Sequence, residues 1–311
     1  MHEQLARVSH SIEIHLLYAS IVWLAAWLLT SMQRGTATAK YWIWVATSLN
    51  FILPLSLIPD RFWPSQLSWF TPRSIILAAG NGIPLSAPAI AVLWVVWSLG
   101  AVLMLTRLSS RINGARRETR ATPEASFFMH GVPVRFAANR KCPAVDGVLR
   151  PQIALPDGID RLLTERELNA VLIHELRHAK RRDNLIRLIH EASLCALWFH
   201  PLVWITGSRL ALYRELSCDE SVSRRARGED LVSALAKLAE PEDASLLQAT
   251  ASSFISHRLA RLAGDQTRRT DVAANTMLAV AFGAVLFAAA LGPAAQSAAS
   301  YACAHTHADH R

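Results

Sequence analysis

The apolar positions of this chain follow two patterns. In residues 16–32, 41–59 and 87–106 they run almost unbroken and without a charged side chain, and residues 276–295 repeat the pattern near the C-terminus. Each run approaches the ~20 residues that an α-helix needs to cross a bilayer. Between residues 108 and 270 the apolar positions are instead spaced. Residues 132–136 and 152–155 alternate or run apolar between turn residues, which reads as two short strands. Asp157-Gly158 is a turn signal. Thr164 and Glu167 stand at the spacing of a capping box, and Leu168, Val171 and Leu172 follow at helical intervals, so the pattern predicts a helix from Thr164. Residues 224–243 are charged and read as a surface helix and loop.

Composition supports the membrane reading. The chain is 52% hydrophobic and only 18% charged, against about 25% charged in an ordinary soluble domain. Trp42, Trp44, Trp63 and Trp69 cluster near the ends of apolar runs, as interfacial anchors do. Glu3 and Glu13 offset Arg7, so the first run lacks the basic flank of a signal peptide and no clear small-residue cleavage site follows it. The net charge of +8 comes without a nucleic-acid recognition motif. Its distribution is that of a membrane protein instead: Arg107, Arg111, Arg116, Arg117 and Arg120 follow the third run and mark its cytoplasmic end. Counting back puts residues 59–86 outside, the 33–40 loop with Arg34 and Lys40 inside, and the N-terminus outside. Cys142, Cys195, Cys218 and Cys303 form neither a CxxC pair nor a disulfide ladder, and each reads as a small buried hydrophobe.

Chemistry enters at His174-Glu175-Leu176-Arg177-His178, an H-E-x-x-H sequence on the predicted helix. Histidines four apart share one helix face, so two imidazoles can converge on one ion, with Glu175 beside them to take a proton from the attacking water. A catalytic zinc site needs a third protein ligand and an open position. His190, His200 and Glu215 are candidates by type, and the stretch from Tyr213 to Asp219 favours Glu215. Glu215 and Asp219 are four apart, so on a helix one can bind metal while the other accepts a ring N–H from a ligand histidine. This bears on residues 184–206, which are apolar enough to suggest another crossing. A full crossing would separate Glu215 from His174 and His178, so the stretch is expected to form a helical hairpin, with Pro201 helping the bend. His190 and His200 then become packing or hydrogen-bonding residues, and Glu191 is expected to be paired inside the hairpin.

The runs HELRHAKRRDN, WFHPLVW and RELSCDESV, with CPAVDGVLRPQIALP upstream, resemble the BlaR/MecR-type antirepressor family of integral-membrane zinc metallopeptidases. The similarity is strongest over residues 130–225 and rests on topology alone over the first three runs. The resemblance implies a gluzincin-like domain facing the cytoplasm, autocleavage, and proteolysis that removes a DNA-bound repressor. It assigns His174, His178 and Glu215 as ligands of one Zn2+, Glu175 as general base, and Asp219 as a supporting partner behind a ligand. The antibiotic-sensing members continue into an extracellular penicillin-binding domain with a Ser-x-x-Lys module. No such segment follows residue 296 here, so acylation by β-lactams is not expected to be the signal.

Weaker signals remain. His305, His307 and His310 with Cys303 suggest a metal-binding tail, against the plainer reading of a disordered end. Arg181, Arg182 and Asp183 either tie the zinc helix to its neighbours or lipid headgroups, or form a solvated helix end. Arg224, Arg225 and Arg227 are a self-cleavage site or an exposed basic loop, and Tyr213 or Arg209 is the candidate to stabilise an oxyanion. The expectation is a mainly α membrane protein with four transmembrane helices and a cytoplasmic α+β gluzincin-like zinc peptidase domain. The divisions are a three-span region at 1–107, the peptidase at 108–270, a fourth span at 271–296 and an extracytoplasmic tail at 297–311, in the inner (plasma) membrane. It acts on a protein or peptide: itself, a winged-helix repressor, or both. The competing reading is a membrane receptor or scaffold whose zinc site is structural or silent.

Overall fold

A computed structural model of the chain describes residues 2–31, 35–53, 87–121, 126–138, 140–238 and 275–283. Three helices come first: α1 (His2–Ser31), α2 (Ala37–Ile52) and α3 (Ala87–Ala121). A four-stranded sheet follows, built from β1 (Phe127–Met129), β2 (Val132–Ala137), β3 (Ala144–Asp146) and β4 (Gln152–Pro156). Then come α4 (Ile159–Leu162), α5 (Glu165–Arg181), α6 (Asp183–Ala196), α7 (Pro201–Ser223) and α8 (Gly228–Leu238), and residues 275–283 are again helical.

The sheet order is β1-β2-β4-β3, with β2 and β4 parallel and the outer pairs antiparallel. β4 buries all five of its side chains, which is why its sequence runs apolar without alternation. The expected strands at 132–136 and 152–155 are β2 and β4, while β1 and β3 are three residues each, too short to carry a pattern. His130 and Gly131 both take positive φ (48° and 81°) in the two-residue turn between β1 and β2, which suits the twist of a tight hairpin.

Two large apolar cores organise the described residues, with a small third cluster of Ala19, Phe51 and Val203 beside them. The first lies between the sheet, α5 and α8 and contains Val134, Ile153, Leu155, Val171, Leu176, Val222 and Leu231. The second joins α1, α2, α7 and residues 275–283 through Tyr18, Val22, Trp44, Leu210, Tyr213, Leu216, Leu278 and Phe282. α7 serves both, with Val222 in the first and Leu210, Tyr213 and Leu216 in the second.

α3 differs from its neighbours. Its stretch Pro88–Arg117 is strongly apolar, and the rest of the chain leaves its most apolar part unburied. It is the one helix among the described residues long and apolar enough to cross a membrane; His15–Ser31 is a shorter apolar helix. Of the second expected run, residues 41–52 are helical and residues 54–59 lie outside the described residues, and α2 buries polar side chains on its packed face: Lys40, Thr47, Ser48 and Asn50. Lys40, expected as a loop charge, sits in the first turn of α2 with Nζ donating to Thr30 O at 2.9 Å. Of the fourth run, residues 276–283 are described and helical, and the rest lies outside the described residues, as do the 59–86 loop and the histidine-bearing tail.

Residues 184–206 form the expected hairpin. α6 ends at Ala196, residues 197–200 turn, and Pro201 takes the first position of α7, where its missing N–H costs nothing. Gly207 lets α7 approach α6 closely: a Cβ there would stand 2.5 Å from His190 Nε2. Glu191 is paired, but outward: Arg111 of α3 lies 2.6 Å away and Arg187 3.5 Å. α3 is tied to the hairpin a second time, where Trp97 Nε1 donates to Ala196 O at 2.8 Å.

Candidate metal centre

α5 begins as its sequence predicts. Thr164 is the N-cap, its hydroxyl accepts from Glu167 N, and the Glu167 carboxylate accepts from Thr164 N at 2.8 Å, closing a capping box. Ser233 and Lys237 of α8 also donate to Glu167, which buries its acid without leaving it unpaired. The apolar face of α5 fills the first core, and His174, Glu175 and Leu176 are buried in the same helix.

One turn apart on α5, His174 and His178 bring their Nε2 atoms within 3.1 Å of each other. Glu215 arrives from α7, with Oε2 3.4 Å from His174 Nε2 and 3.7 Å from His178 Nε2. Two ligands held ~2.0–2.1 Å from one zinc at a tetrahedral angle stand roughly 3.3 Å apart, so a triangle with sides of 3.1, 3.4 and 3.7 Å is the size one ion requires. Two buried imidazole nitrogens that face each other this closely need a cation or a proton between them. The donor set therefore fits a metal.

The far side of each ring meets a carboxylate. His174 Nδ1 lies 3.2 Å from Asp219 Oδ1, one helical turn beyond Glu215. His178 Nδ1 donates to Asp183 Oδ2 at 2.6 Å, which fixes the tautomer and leaves Nε2 free to ligate. Burial works against charge on His174, but hydrogen bonds with Asp219 and Glu215 outweigh it and bring the imidazole up to about 9. His178 follows the same direction: burial opposes it, and Asp183, Cys218 and Glu215 together hold it well above its ordinary value. Glu215 is pulled well below the usual carboxylate range, burial notwithstanding, by both histidines and by Arg214. The site is thus built to hold positive charge.

Asp219 is where the sequence placed it, whereas the part played by Asp183 emerges only from the fold. Arg182 takes a left-handed conformation (φ 56°, ψ 47°), ending α5 and starting α6, and this sharp turn brings Asp183 back under His178. Arg181 clamps Asp183 from both sides, Nε to Oδ1 and Nη2 to Oδ2, each at 2.6 Å. Arg181 also donates to Ser217 Oγ and Arg214 O, so this buried cation is fully paired. Arg181 and Asp183 tie α5 to its neighbours; Arg182 is the turn itself. A second metal-like grouping, His178, Asp183 and Cys218, gathers on this Nδ1 side, but Asp183 already accepts from arginine there.

Glu175 is buried and opens onto a cleft of about 460 Å³ between the sheet edge and the helices, which His174, His178, Glu215 and Arg214 also line. Cys142 and Val145 at the β3 edge form its opposite wall; Cys142 is exposed, whereas Cys195 and Cys218 are buried as expected. Tyr213, a candidate for oxyanion stabilisation, is buried with its hydroxyl donating to Thr30 O at 3.3 Å, and neither it nor Arg209 lines the cleft. Arg214 does, anchored by Nε and Nη2 on Glu215 Oε1 at 3.0 and 2.9 Å. His190 and His200 stand apart from the metal group: His190 Nδ1 meets Ser48 Oγ at 2.9 Å, and His200 packs on Phe51. Of residues 224–227, the turn after α7, nothing reaches the cleft.

A metallopeptidase-type centre, carried by one helix and completed by a second, is the class this geometry defines. Comparison with known proteins narrows it. The family described as BlaR1 peptidase M56 matches residues 12–262, most of the chain, and the chain belongs to that family. The match extends well beyond residues 130–225, into α1 and across α2 and α3. Regulatory protein BlaR1 of Bacillus licheniformis is 42% identical over 86 residues, 26% of this chain and 14% of that protein. Methicillin resistance mecR1 proteins of Staphylococcus aureus (strain Mu50 / ATCC 700699) and Staphylococcus epidermidis are each 25% identical over 96 residues, 31% of this chain and 16% of theirs. The matched segment therefore spans less than a fifth of the length of these curated relatives.

Proposed function

We propose that the chain is a signal-transducing membrane zinc metalloendopeptidase, with His174, His178 and Glu215 holding one Zn2+ and Glu175 acting as general base. The observation that carries this reading is the triangle of His174 Nε2, His178 Nε2 and Glu215 Oε2, sized for one ion and opening onto a cleft beside Glu175. Bound there, zinc would acidify a water and polarise a peptide carbonyl. Glu175 takes the proton of the attacking water and returns it to the leaving amine nitrogen. Asp183 and Asp219 hold the two imidazoles in the orientation that presents Nε2. Arg214 stabilises negative charge developing on the carbonyl oxygen, from its place in the cleft wall.

The membrane arrangement belongs to the same proposal. Four spans anchor the chain in the plasma membrane: residues 1–107 contribute three, residues 271–296 the fourth, and residues 297–311 form an extracytoplasmic tail. The peptidase domain, 108–270, faces the cytoplasm because five arginines follow the third span. Its substrate is a cytoplasmic transcriptional repressor of the winged-helix kind, the chain itself, or both; family membership and the name of one relative, Regulatory protein BlaR1, support this reading.

The test is made on purified full-length protein in detergent. Wild type is expected to carry one zinc per chain and to cleave a denatured protein substrate. Glu175→Gln keeps the zinc and loses at least ~100-fold in turnover, the scale of general acid–base catalysis. Equal turnover in the variant would contradict the assignment and favour a scaffold with a silent metal site.

A further inference from the structure

We propose that Tyr41, on the second helix of the membrane region, is a positioning residue of the metal centre, acting through Asp183 on His178. The inference rests on His178 being a metal ligand, as assigned above.

The Asp183 carboxylate is buried and accepts from three side chains. Oδ1 takes Arg181 Nε at 2.6 Å and the Tyr41 hydroxyl at 2.9 Å. Oδ2 takes Arg181 Nη2 and His178 Nδ1, both at 2.6 Å. A carboxylate has about four acceptor positions, and all are used here. The arginine fork fixes one edge of the group, and Tyr41 and His178 fix the other positions. Tyr41 acts a second time through its ring, which carries the Arg181 guanidinium 4.0 Å from its centroid. Tyr41 itself is 1% exposed, and α2 is fastened to α7 nearby by Thr38, whose N and Oγ1 donate to Glu220 Oε2 at 3.2 and 3.0 Å.

Without the Tyr41 hydroxyl, Oδ1 keeps only Arg181 Nε as a donor, and the carboxylate is held on one side alone, by the arginine fork, and can tilt. His178 turns with it, and Nε2 leaves the position at which it meets His174 and Glu215. The unit that holds the metal therefore includes α2 as well as the sheet and α5–α8. A shift of α2 against α6 is felt at the metal through two hydrogen bonds. This gives a segment of the membrane region a direct mechanical connection to the active centre.

The experiment uses the full-length chain in detergent, with zinc affinity measured by competition against a chromogenic chelator and ligand geometry by the visible spectrum of the cobalt(II) form. Tyr41→Phe keeps the ring under Arg181 and removes only the hydroxyl; it is expected to bind zinc about tenfold more weakly, the lower end of the range for partners behind a ligand, and to shift the cobalt bands. Tyr18→Phe, which removes a buried hydroxyl from the same core, leaves both unchanged. His178→Ala abolishes tight binding. If His178→Ala binds zinc as wild type does, the metal assignment itself falls. If it does not bind, and Tyr41→Phe matches wild type in affinity and spectrum, the inference is overturned. Should Tyr41→Phe fail to fold, fluorotyrosine-labelled wild type decides: zinc is expected to move the Tyr41 fluorine resonance and leave that of Tyr18 in place, and an unmoved Tyr41 signal overturns the proposal.

Discussion

At the scale of single residues, the centre is a set of imidazoles surrounded by carboxylates, and its proton affinity sets how it responds to pH. Without metal, the folded chain holds His174 at about 9, above its ordinary 6.5. That proton stabilises the folded chain fully below about 6.5, and the contribution is lost as pH rises through about 9. His178 shifts in the same direction. A zinc ion held by these residues would have to displace their protons, so affinity is expected to rise between pH 6.5 and 9. In the same window the metal-free protein should lose thermal stability while the zinc-saturated protein holds it. Chelator competition across that range checks the first statement and parallel melting curves the second; a flat affinity profile would contradict both. His174, Glu175 and His178 were legible in the sequence because their spacing alone puts the two imidazoles on one face. Asp183 was not. Five residues beyond His178, it would lie some 140° around a continuous helix, and only the left-handed turn at Arg182 brings it back.

At the scale of elements, the candidate ligand set depends on two helices meeting at a fixed register. α5 is set by its capping box and by packing on the sheet; α7 is set by two cores at once. Thr164→Ala removes the cap and is expected to cost about 1 kcal/mol, read as a lowered unfolding midpoint of the purified protein with its zinc stoichiometry intact. An unchanged midpoint would mean that tertiary contacts alone fix the start of α5. The capping box was readable because it is local, its two residues three apart. The α6–α7 hairpin was readable for another reason: Glu215 and the histidines could not share an ion if residues 184–206 crossed a bilayer. What the sequence concealed is α2. Its apolar run resembles a lipid-facing span, yet Lys40, Tyr41 and Ser48 are buried against other parts of the chain. An uncharged helix looks the same whether lipid or protein covers it, and only its contacts distinguish the two.

At the scale of the molecule, the region that carries the candidate site is attached to a helix that leaves much of its apolar surface uncovered. Leu99, Leu103 and Val92 of α3 are each more than 60% exposed, an apolar surface that lipid would cover. Arg111, toward the basic end of that helix, pairs with Glu191 of the hairpin, so the region that carries the candidate site sits against the positively charged end of the helix. The orientation can be read with Cys142, the exposed thiol at the cleft wall. In a Cys303→Ser background, a membrane-impermeant maleimide is expected to spare Cys142 in intact spheroplasts and to modify it once they are permeabilised. Modification of intact spheroplasts would place the cleft outside. The central claim, that this chain cuts protein in the cell through Glu175, is tested most directly by comparing newly formed protein N-termini in cells that express wild type or Glu175→Gln at equal membrane levels. The account predicts a small set of termini present with wild type and absent with the variant, among them cuts in a cytoplasmic regulator or in this chain itself. Identical sets of termini under conditions that activate the wild-type pathway would contradict it.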